Sequence, residues 1–335
     1  MKIAVDAMGG DHAPREVIKG ALEAVREFGQ EVVLVGDEER IRKEIPGSLP
    51  ELVSIVHAPE VISMHESPAG AVRRKKNSSI VKAVQLVKEG AAGAVVSAGN
   101  TGAAMAAAVL LLGQIPGIDR PAIATLLPNR KGKTLLLDSG ANVDCKPVHL
   151  FQFALMGHLY AKEILGIKKP KLGLLSIGEE ETKGNELTHA TYRLLQHPSL
   201  NFIGNVEGRD IYEGTADIVV CDGFTGNIVL KAGEGMVTAL LEMLKEEIKK
   251  SVPAKIGMAL LLPTLKSFWQ KLDYTEYGGA PLLGVNGIVI ICHGRSPARA
   301  IRNAIRLGRE SVHNNLVFAI KNSVQQVQQR RAEHI

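Results

Sequence analysis

A chain of 335 residues is long enough for one large α/β unit or two domains, and at 45% hydrophobic and 22% charged it argues against intrinsic disorder. Its net charge of +5 and sequence pI of about 9.0 favour acidic partners, but no nucleic-acid-binding signature accompanies them. Three widely separated cysteines (Cys145, Cys221, Cys292) argue against a disulfide framework or a structural zinc site and suit a reducing cytoplasm.

Aromatic content is only 4%, so the core must rest on Val, Leu, Ile and Ala, the usage of parallel strands covered on both faces. The N-terminus reaches Asp6 too early for a signal-peptide core. IAVDAM opens the chain as a strand, a helix is expected from about Pro14 to Phe28, and EVVLVGD reads as the second strand. SIVHAPE, AVVSAG, TLLLDSG, KLGLLSIG, NFIGNVEG, DIVVCDG and GIVIICHG repeat the theme, most ending in Gly, Asp or Ser and most preceding a helix-compatible stretch. This alternation predicts an α/β fold with a doubly wound, mostly parallel sheet and helices on both faces, its ligands at the carboxyl ends of the strands. From Gly90 to Ile118 no residue is charged, which is long enough to cross a bilayer. Ser97, Gly99, Asn100, Thr101, Gly102, Gln114 and Pro116 interrupt it, so it reads as strand, loop and buried helix.

One internal repeat stands out. EGAAGAVVSAGNTGA (Glu89–Ala103) aligns without gaps on EGTADIVVCDGFTGN (Glu213–Asn227), matching at eight of fifteen positions. Two related strand–loop–helix units with G-x-T-G turns are expected, able to face one cleft from opposite sides.

The loops after the strands carry the chemistry. In CDGFTGNIVLK, Gly223 lets the backbone approach a ligand, Asp222 precedes it, and Thr225 adds a hydroxyl. A helix starting near Asn227 would aim free N–H groups and its positive dipole end at an anion, with Lys231 one turn further along the same face. The same residues also suit an ordinary tight turn. SIGEEETKGNE places Glu179, Glu180 and Glu181 before Lys183; it is either a solvated loop or one that points Lys183 into the cleft with a Glu holding it. LLLDSGANVD ends a strand with Asp138 and Asn142, and MGGDHAP sets Gly9, Gly10, Asp11 and His12 after the first strand. HGRS (His293–Ser296) follows the last strong strand and suits a cap for the helix beginning near Pro297.

Other chemistries lack their residues. The chain has no G-x-x-x-x-G-K-[ST], no G-x-G-x-x-G after a strand, no G-x-S-x-G elbow and no H-E-x-x-H, and neither a cofactor nor a metal is expected. Cys221 beside Asp222 reads as a buried structural thiol. Arg73, Arg74, Lys75 and Lys76 are a solvated helix start or a landing surface for an acidic protein. VPAKIGMALLLPTLKSFW, with Leu260, Leu261, Leu262 and Phe268 between lysines, suits a core or dimer segment as well as shallow insertion at an anionic membrane.

Taken together, MGGDHAP, SAGNTGA, LLLDSGAN, SIGEEETKGNE, GNVEGRD, CDGFTGNIVLK, YGGAPLLGVNG and HGRS resemble the bacterial phosphate acyltransferases of phospholipid synthesis, over essentially residues 1–325 and without departure in those loops. The resemblance implies a fold like that of phosphate acetyltransferases and isocitrate/isopropylmalate dehydrogenases. It implies one unit, residues 1–335, of two α/β lobes divided roughly near 125–135 with the cleft between them. It implies transfer of a fatty acyl group from acyl carrier protein to inorganic phosphate, the acyl phosphate then serving a membrane-bound glycerol-3-phosphate acyltransferase. A cytoplasmic homodimer touching the inner face of the membrane follows. On this reading Lys183 and Asn227 carry the chemistry, while Gly9, Gly10, Asp11, Ser97, Asn100, Thr101, Asp138, Asn142, Glu180, Asp222, Gly223, Thr225 and Lys231 line or brace the cleft. Arg73–Lys76 become the carrier-protein dock and Leu260–Leu262 with Phe268 the membrane contact. Coenzyme A as donor, an NAD(P)-dependent hydroxyacid dehydrogenase of the same fold, and a non-catalytic scaffold are the alternatives.

Overall fold

The computed structural model describes residues 1–258, 260–261 and 278–332. Strands β1 (Ile3–Asp6), β2 (Val32–Gly36), β3 (Val53–His57) and β4 (Ala94–Ser97) alternate with helices α1 (Arg15–Phe28), α2 (Glu38–Glu44), α3 (Pro68–Arg74) and α4 (Ser79–Lys88). Helix α5 (Thr101–Leu111) leads to the short β5 (Ala122–Ile123). A hairpin of β6 (Thr125–Asn129) and β7 (Gly132–Leu137) is followed by α6 (Pro147–Glu163), β8 (Lys171–Leu175), α7 (Glu186–Leu195) and β9 (Asn201–Val206). Then come α8 (Gly208–Glu213), β10 (Ile218–Val220) and α9 (Gly223–Lys249), and finally β11 (Ala280–Leu283), β12 (Ile288–Ile291), α10 (Ala298–His313) and α11 (Leu316–Ala332).

The strands divide between two sheets. One has seven strands in the order β3-β2-β1-β4-β12-β11-β5, the other five in the order β6-β7-β10-β8-β9. Pairing is parallel except where β11 meets β12 and β5, and where β6 meets β7. The chain crosses from the first sheet to the second at Ala124 and returns through β11 and β12. The expected α/β fold is present, with the antiparallel elements β5, β6 and β11 added at or near sheet edges. These are the short, proline-bearing or proline-adjacent stretches (PAIATLLPN, APLL) whose sequence carries no strong strand period.

Alternation decides which face each strand residue covers. Ile3, Val5, Val32 and Leu34 enter one large core, whereas Ala4, Val33 and Val35 enter a second core with Ile80, Val84 and Ala103–Ala108 on the opposite face. The large core runs on without a break through Ile115, Ile118, Met156 and Leu283 to Leu135, Leu172 and Ile218 of the second sheet. Helix α6, with Phe151, Phe153 and Tyr160 fully buried, fills the space between. The charge-free Gly90–Ile118 stretch resolves into β4 and the eleven-residue α5. Among the described residues no helix is long and apolar enough to cross a membrane.

The two repeat units occupy corresponding places. Val5 pairs with Val96 and Leu137 with Val220, so the next residues along, Asp6 with Ser97 and Asp138 with Cys221, are matched pairs at the strand ends. Each sheet thus presents a buried aspartate beside its glycine turn.

Candidate active site

In the first sheet the loops after β1, β4 and β12 converge on Asp6. Its carboxylate accepts the Ser97 hydroxyl at 2.7 Å and the Met8 N–H at 3.3 Å, and burial pushes its pKa up against the hydrogen bonds of Ser79, Ser97, Met8 and Gly9. Glycine is required at position 9, where a Cβ would lie 2.5 Å from Asp6 Oδ2 and 2.8 Å from the Gly99 nitrogen. Gly10 has a φ of +113°, and the Asp11 N–H donates to the Gly294 carbonyl at 2.8 Å. HGRS therefore joins this cluster; the α10 N-terminus instead has its Ala298 N–H donated to Glu16. The Asp11 carboxylate stands 3.9 Å from Arg295. Asn100 caps α5 by accepting the Ala103 N–H, while its amide donates to the carbonyls of Ser63, Met64 and Glu66. Asn100 is a brace, and Thr101 after it is exposed at a helix end whose cap is uncharged.

The second sheet builds its counterpart around Asp138, which is fully buried. Oδ1 accepts from the Ile123, Gly140 and Ala141 N–H groups, and Oδ2 accepts from the Asn142 backbone at 2.7 Å and its amide at 2.9 Å. Asn142 also donates to the Pro121 carbonyl, which ties this loop to the edge of the first sheet. Burial still pushes the Asp138 carboxyl up, with the Ala141 and Ile123 N–H groups and both Asn142 donors opposing it. Gly223 and Gly226 pack onto this loop: a Cβ on Gly223 would lie 2.6 Å from the Asn142 carbonyl oxygen, and one on Gly226 would collide with the Asp138 carbonyl oxygen.

Helix α9 begins at Gly223, four residues before the expected start near Asn227. The reason is local: Asp222 is an N-cap, its Oδ1 accepting the Thr225 N–H at 2.9 Å and its Oδ2 the Thr225 hydroxyl at 2.7 Å. Gly223 N–H donates to the Asn142 carbonyl. The positive helix end expected to receive an anion already faces a carboxylate. Asn227 consequently sits in the second turn, exposed, with its side chain lying over Gly140, where a Cβ would be 3.5–3.6 Å from its Cβ, Cγ and Oδ1. Lys231 is exposed and pairs with Glu234 at 2.9 Å.

Lys183 lies on the loop after β8, the strand next to β10. That loop is pinned by Asn205, whose amide donates to the Glu180 carbonyl, and by the Ser176 hydroxyl, which donates to the Lys183 carbonyl. The Lys183 and Glu180 side chains fold over Gly178, where a Cβ would lie 2.9 Å from Lys183 Cγ and 3.0 Å from Glu180 Oε2. The expected Glu–Lys183 pair is not formed; Glu179 pairs with Arg209 at 3.3 Å instead. Among the described residues, neither the Lys183 amine nor the Asn227 amide has a hydrogen-bond or ion-pair partner.

The geometry thus separates bracing groups (Asp6, Ser97, Asn100, Asp138, Asn142, Asp222, Thr225) from Lys183, on the loop after β8, and Asn227, in the second turn of the helix after the neighbouring β10. Comparison with known proteins adds the reaction class. The model of a family described as "Fatty acid synthesis protein" matches residues 1–318. A phosphate acyltransferase of Pelotomaculum thermopropionicum is 63% identical over 333 residues, covering 99% of this chain and 97% of that one. One from Desulforamulus reducens is 58% identical over 326 residues, covering 97% and 98%. The chain belongs to the phosphate acyltransferase family. It is an acyltransferase. In fold it is similar to a phosphotransacetylase from Streptococcus pyogenes (TM-score 0.62, 19% identity, 92% of this chain and 94% of that one). A 4-hydroxythreonine-4-phosphate dehydrogenase from Klebsiella pneumoniae shares the fold as well (TM-score 0.53, 14% identity, 93% and 99%).

An acyltransferase could use a cysteine as covalent carrier, but the thiols here are poorly placed for it. Burial, aided by Asp222 and Asp138, pushes Cys221 well up; burial raises Cys145 to about 11 and Cys292 to about 12. Of the remote residues, Lys75 is occupied by Glu66 at 2.7 Å and the Val61 carbonyl, leaving Arg73, Arg74 and Lys76 exposed. Leu260 and Leu261 are 78% and 55% exposed, while Leu262 and Phe268 lie outside the described residues. Sequence reasoning missed Asp6, Ser79 and Gly140 as parts of the site. The available signal for Asp6 was a single acid ending an otherwise apolar buried strand.

Proposed function

We propose that this enzyme transfers a fatty acyl group from acyl carrier protein to inorganic phosphate, forming acyl phosphate for glycerophospholipid synthesis. The reading rests on one observation above all: among the described residues, the Lys183 amine on the loop after β8 and the Asn227 amide in the second turn of the helix after β10 have no partner, while the neighbouring polar groups are spent on bracing. On this reading the cleft lies between two lobes built on the two sheets, divided roughly near residues 125–135, with β11 and β12 returning to the first. A phosphate oxygen attacks the thioester carbon, and the tetrahedral oxyanion collapses as the C–S bond breaks. The proton of hydrogen phosphate passes to the departing thiolate. A thiol pKa near ~8.5 means that departure needs little acid help. Lys183 neutralises phosphate or oxyanion charge, and Asn227 donates to the reacting oxygen. Holding phosphate against the thioester contributes roughly 7–11 kcal/mol.

The deciding assay incubates the protein with acyl carrier thioester and orthophosphate, and in parallel with acyl-coenzyme A. Acyl phosphate from the carrier substrate at the higher kcat/KM supports the reading; product only from coenzyme A sinks it in favour of a phosphotransacetylase-type donor. Arg73, Arg74 and Lys76 form the proposed carrier dock. Reversing them to Glu should raise KM for the carrier several-fold and leave KM for phosphate unchanged; an unaltered carrier KM removes the dock.

The protein is further proposed to be a cytoplasmic homodimer that touches the inner face of the membrane, where a membrane-bound glycerol-3-phosphate acyltransferase takes its product. Helix α9 supports this, since only Gly223 and Gly226 of its 27 residues are buried while Met236, Leu240, Met243 and Leu244 form an exposed apolar stripe. The exposed Leu260 and Leu261, beyond the end of α9 in the chain, form the contact. Leu261→Glu should reduce flotation with anionic liposomes, and unchanged flotation would argue against insertion there.

A further inference from the structure

Large apolar side chains exposed singly are ordinary on a protein surface, but several gathered around one site are not. The segments that follow β7, β10 and β8, three neighbouring parallel strands, expose four of them. Ile177 is 80% exposed, Val143 62%, Phe224 57% and Ile228 51%. Two of these segments also carry Lys183 and Asn227, and the third sets Gly140 beneath Asn227.

Their placement follows from the backbone. Phe224, Asn227 and Ile228 stand at i, i+3 and i+4 of α9, so the two apolar side chains flank the amide on one helix face. Val143 follows Asn142, whose carbonyl accepts the Gly223 N–H at 2.7 Å, so Val143 and Phe224 each lie one residue beyond a shared hydrogen bond. Ile177 sits between Ser176, whose hydroxyl donates to the Lys183 carbonyl, and Gly178, onto which the Lys183 side chain folds. The parallel register Val220↔Leu174, carried three residues further, sets Gly223 level with Ile177. This cluster is separate from the apolar stripe further along α9. Between Ile228 and Met236 no large apolar side chain is exposed: Val229 and Leu230 pack against the core around Val219 and Cys221, and Lys231 pairs with Glu234. Eight residues of helix separate the two by about 12 Å.

We propose that Val143, Ile177, Phe224 and Ile228 form an acyl-chain subsite that selects long chains, an assignment that rests on the fatty acyl transfer proposed above. A thioester carbonyl within reach of Lys183 and Asn227 bears its alkyl chain on the same carbon, so the first methylenes must leave over the residues that surround those two groups. An acetyl group ends before it reaches them. A fatty chain covers them, and each methylene taken out of water strengthens binding about fourfold. A second copy of this chain seated here would bury the Lys183 amine and the Asn227 amide along with the apolar residues, at the cost of desolvating them. A flexible alkyl chain covers the apolar residues and leaves both polar groups to the phosphate and the carbonyl.

The test compares butyryl and palmitoyl thioesters of acyl carrier protein and, in parallel, of coenzyme A, with orthophosphate and the full chain. In Phe224→Ser/Ile228→Ser, kcat/KM for the palmitoyl donor should fall about tenfold or more, the loss of contact with a few methylenes, and that for the butyryl donor by a much smaller factor. Phe224→Leu/Ile228→Leu should keep most of the wild-type ratio between the two chain lengths. All four side chains are exposed, and unchanged thermal unfolding would show that the variants remain folded. Turnover of coenzyme A thioesters alone would sink the carrier-protein reading, while the chain-length ratio measured in that series would still decide the subsite. An equal fall for both chain lengths, or an unchanged ratio, would overturn the proposal. An unchanged ratio with a dimer-to-monomer shift in gel filtration would give the cluster to a contact between copies instead. A wild type that does not favour palmitoyl over butyryl thioester with either donor would overturn it too.

Discussion

Lys183→Ala and Asn227→Ala are each expected to lower kcat for acyl phosphate formation by about 10²–10³, the effect of removing one preorganised donor from a developing oxyanion. The expectation comes from what these groups do not do. Asn100, Asn142, Thr225 and Asp222 have their polar atoms committed to caps and loop carbonyls, so their loss would act through structure. The Lys183 amine and Asn227 amide have no such commitment, and both side chains are exposed beside glycines. Their removal should therefore leave thermal stability near that of the wild type while the rate collapses. Lys183→Arg, which keeps the charge but changes its shape, should recover part of the rate and alter KM for phosphate. Near wild-type turnover in either alanine variant would remove that residue from the chemistry.

Asp138→Asn is expected to have the opposite character, losing about 2–4 kcal/mol of stability and activity along with it. The carboxylate accepts five N–H groups, three at Oδ1 and two at Oδ2. An asparagine must turn its own NH₂ toward one of these sets, leaving two or three buried donors unpaired at about 1–3 kcal/mol each, offset in part by no longer burying a charge. The loop that holds Gly140 under Asn227 would then shift. The pH dependence has a definite sign. Burial raises the native pKa of Asp138 above 3.8, so between that value and the raised one the native chain holds more protons than the unfolded one. This group's contribution to stability is greatest below 3.8 and falls as pH climbs through the native pKa. The stability gap between wild type and Asp138→Asn should accordingly narrow from acid toward neutral pH in denaturant titrations. A gap that widens would show that the N–H donors outweigh burial and hold the native pKa below the unfolded one, whereas a variant as stable as the wild type at pH 7 would show that the five-donor clamp is not what holds the loop.

Much of the fold was legible because parallel strands buried on both faces must be continuous apolar runs. VVLVG, AVVS, KLGLL and IVII could be nothing else, and the glycine or acid after each marked its carboxyl end. The gap-free repeat Glu89–Ala103 and Glu213–Asn227 likewise anticipated two glycine turns at equivalent strand ends, next to Asp6 in one sheet and Asp138 in the other. Less legible was where each helix begins. The repeat places Asn100 opposite Phe224, yet the caps are Asn100 and Asp222, so the two helices start out of step by two positions. Cap choice depends on which side chain can reach back to an N–H, and the Asn142 loop decides this for α9 by taking the Gly223 amide.

By itself, then, the amino-acid order determined the class of fold, the family and the set of loops that could hold an anion, since these follow from hydrophobic period and from the placement of small and polar residues along one dimension. Only the folded chain decided which of those polar residues are free. A side chain is a brace or a reagent according to what lies within hydrogen-bonding distance, and for Asn142, Asp222 and Lys231 that neighbour was supplied by a turn, a cap or a helix face. For Lys183 and Asn227 the described residues supply none.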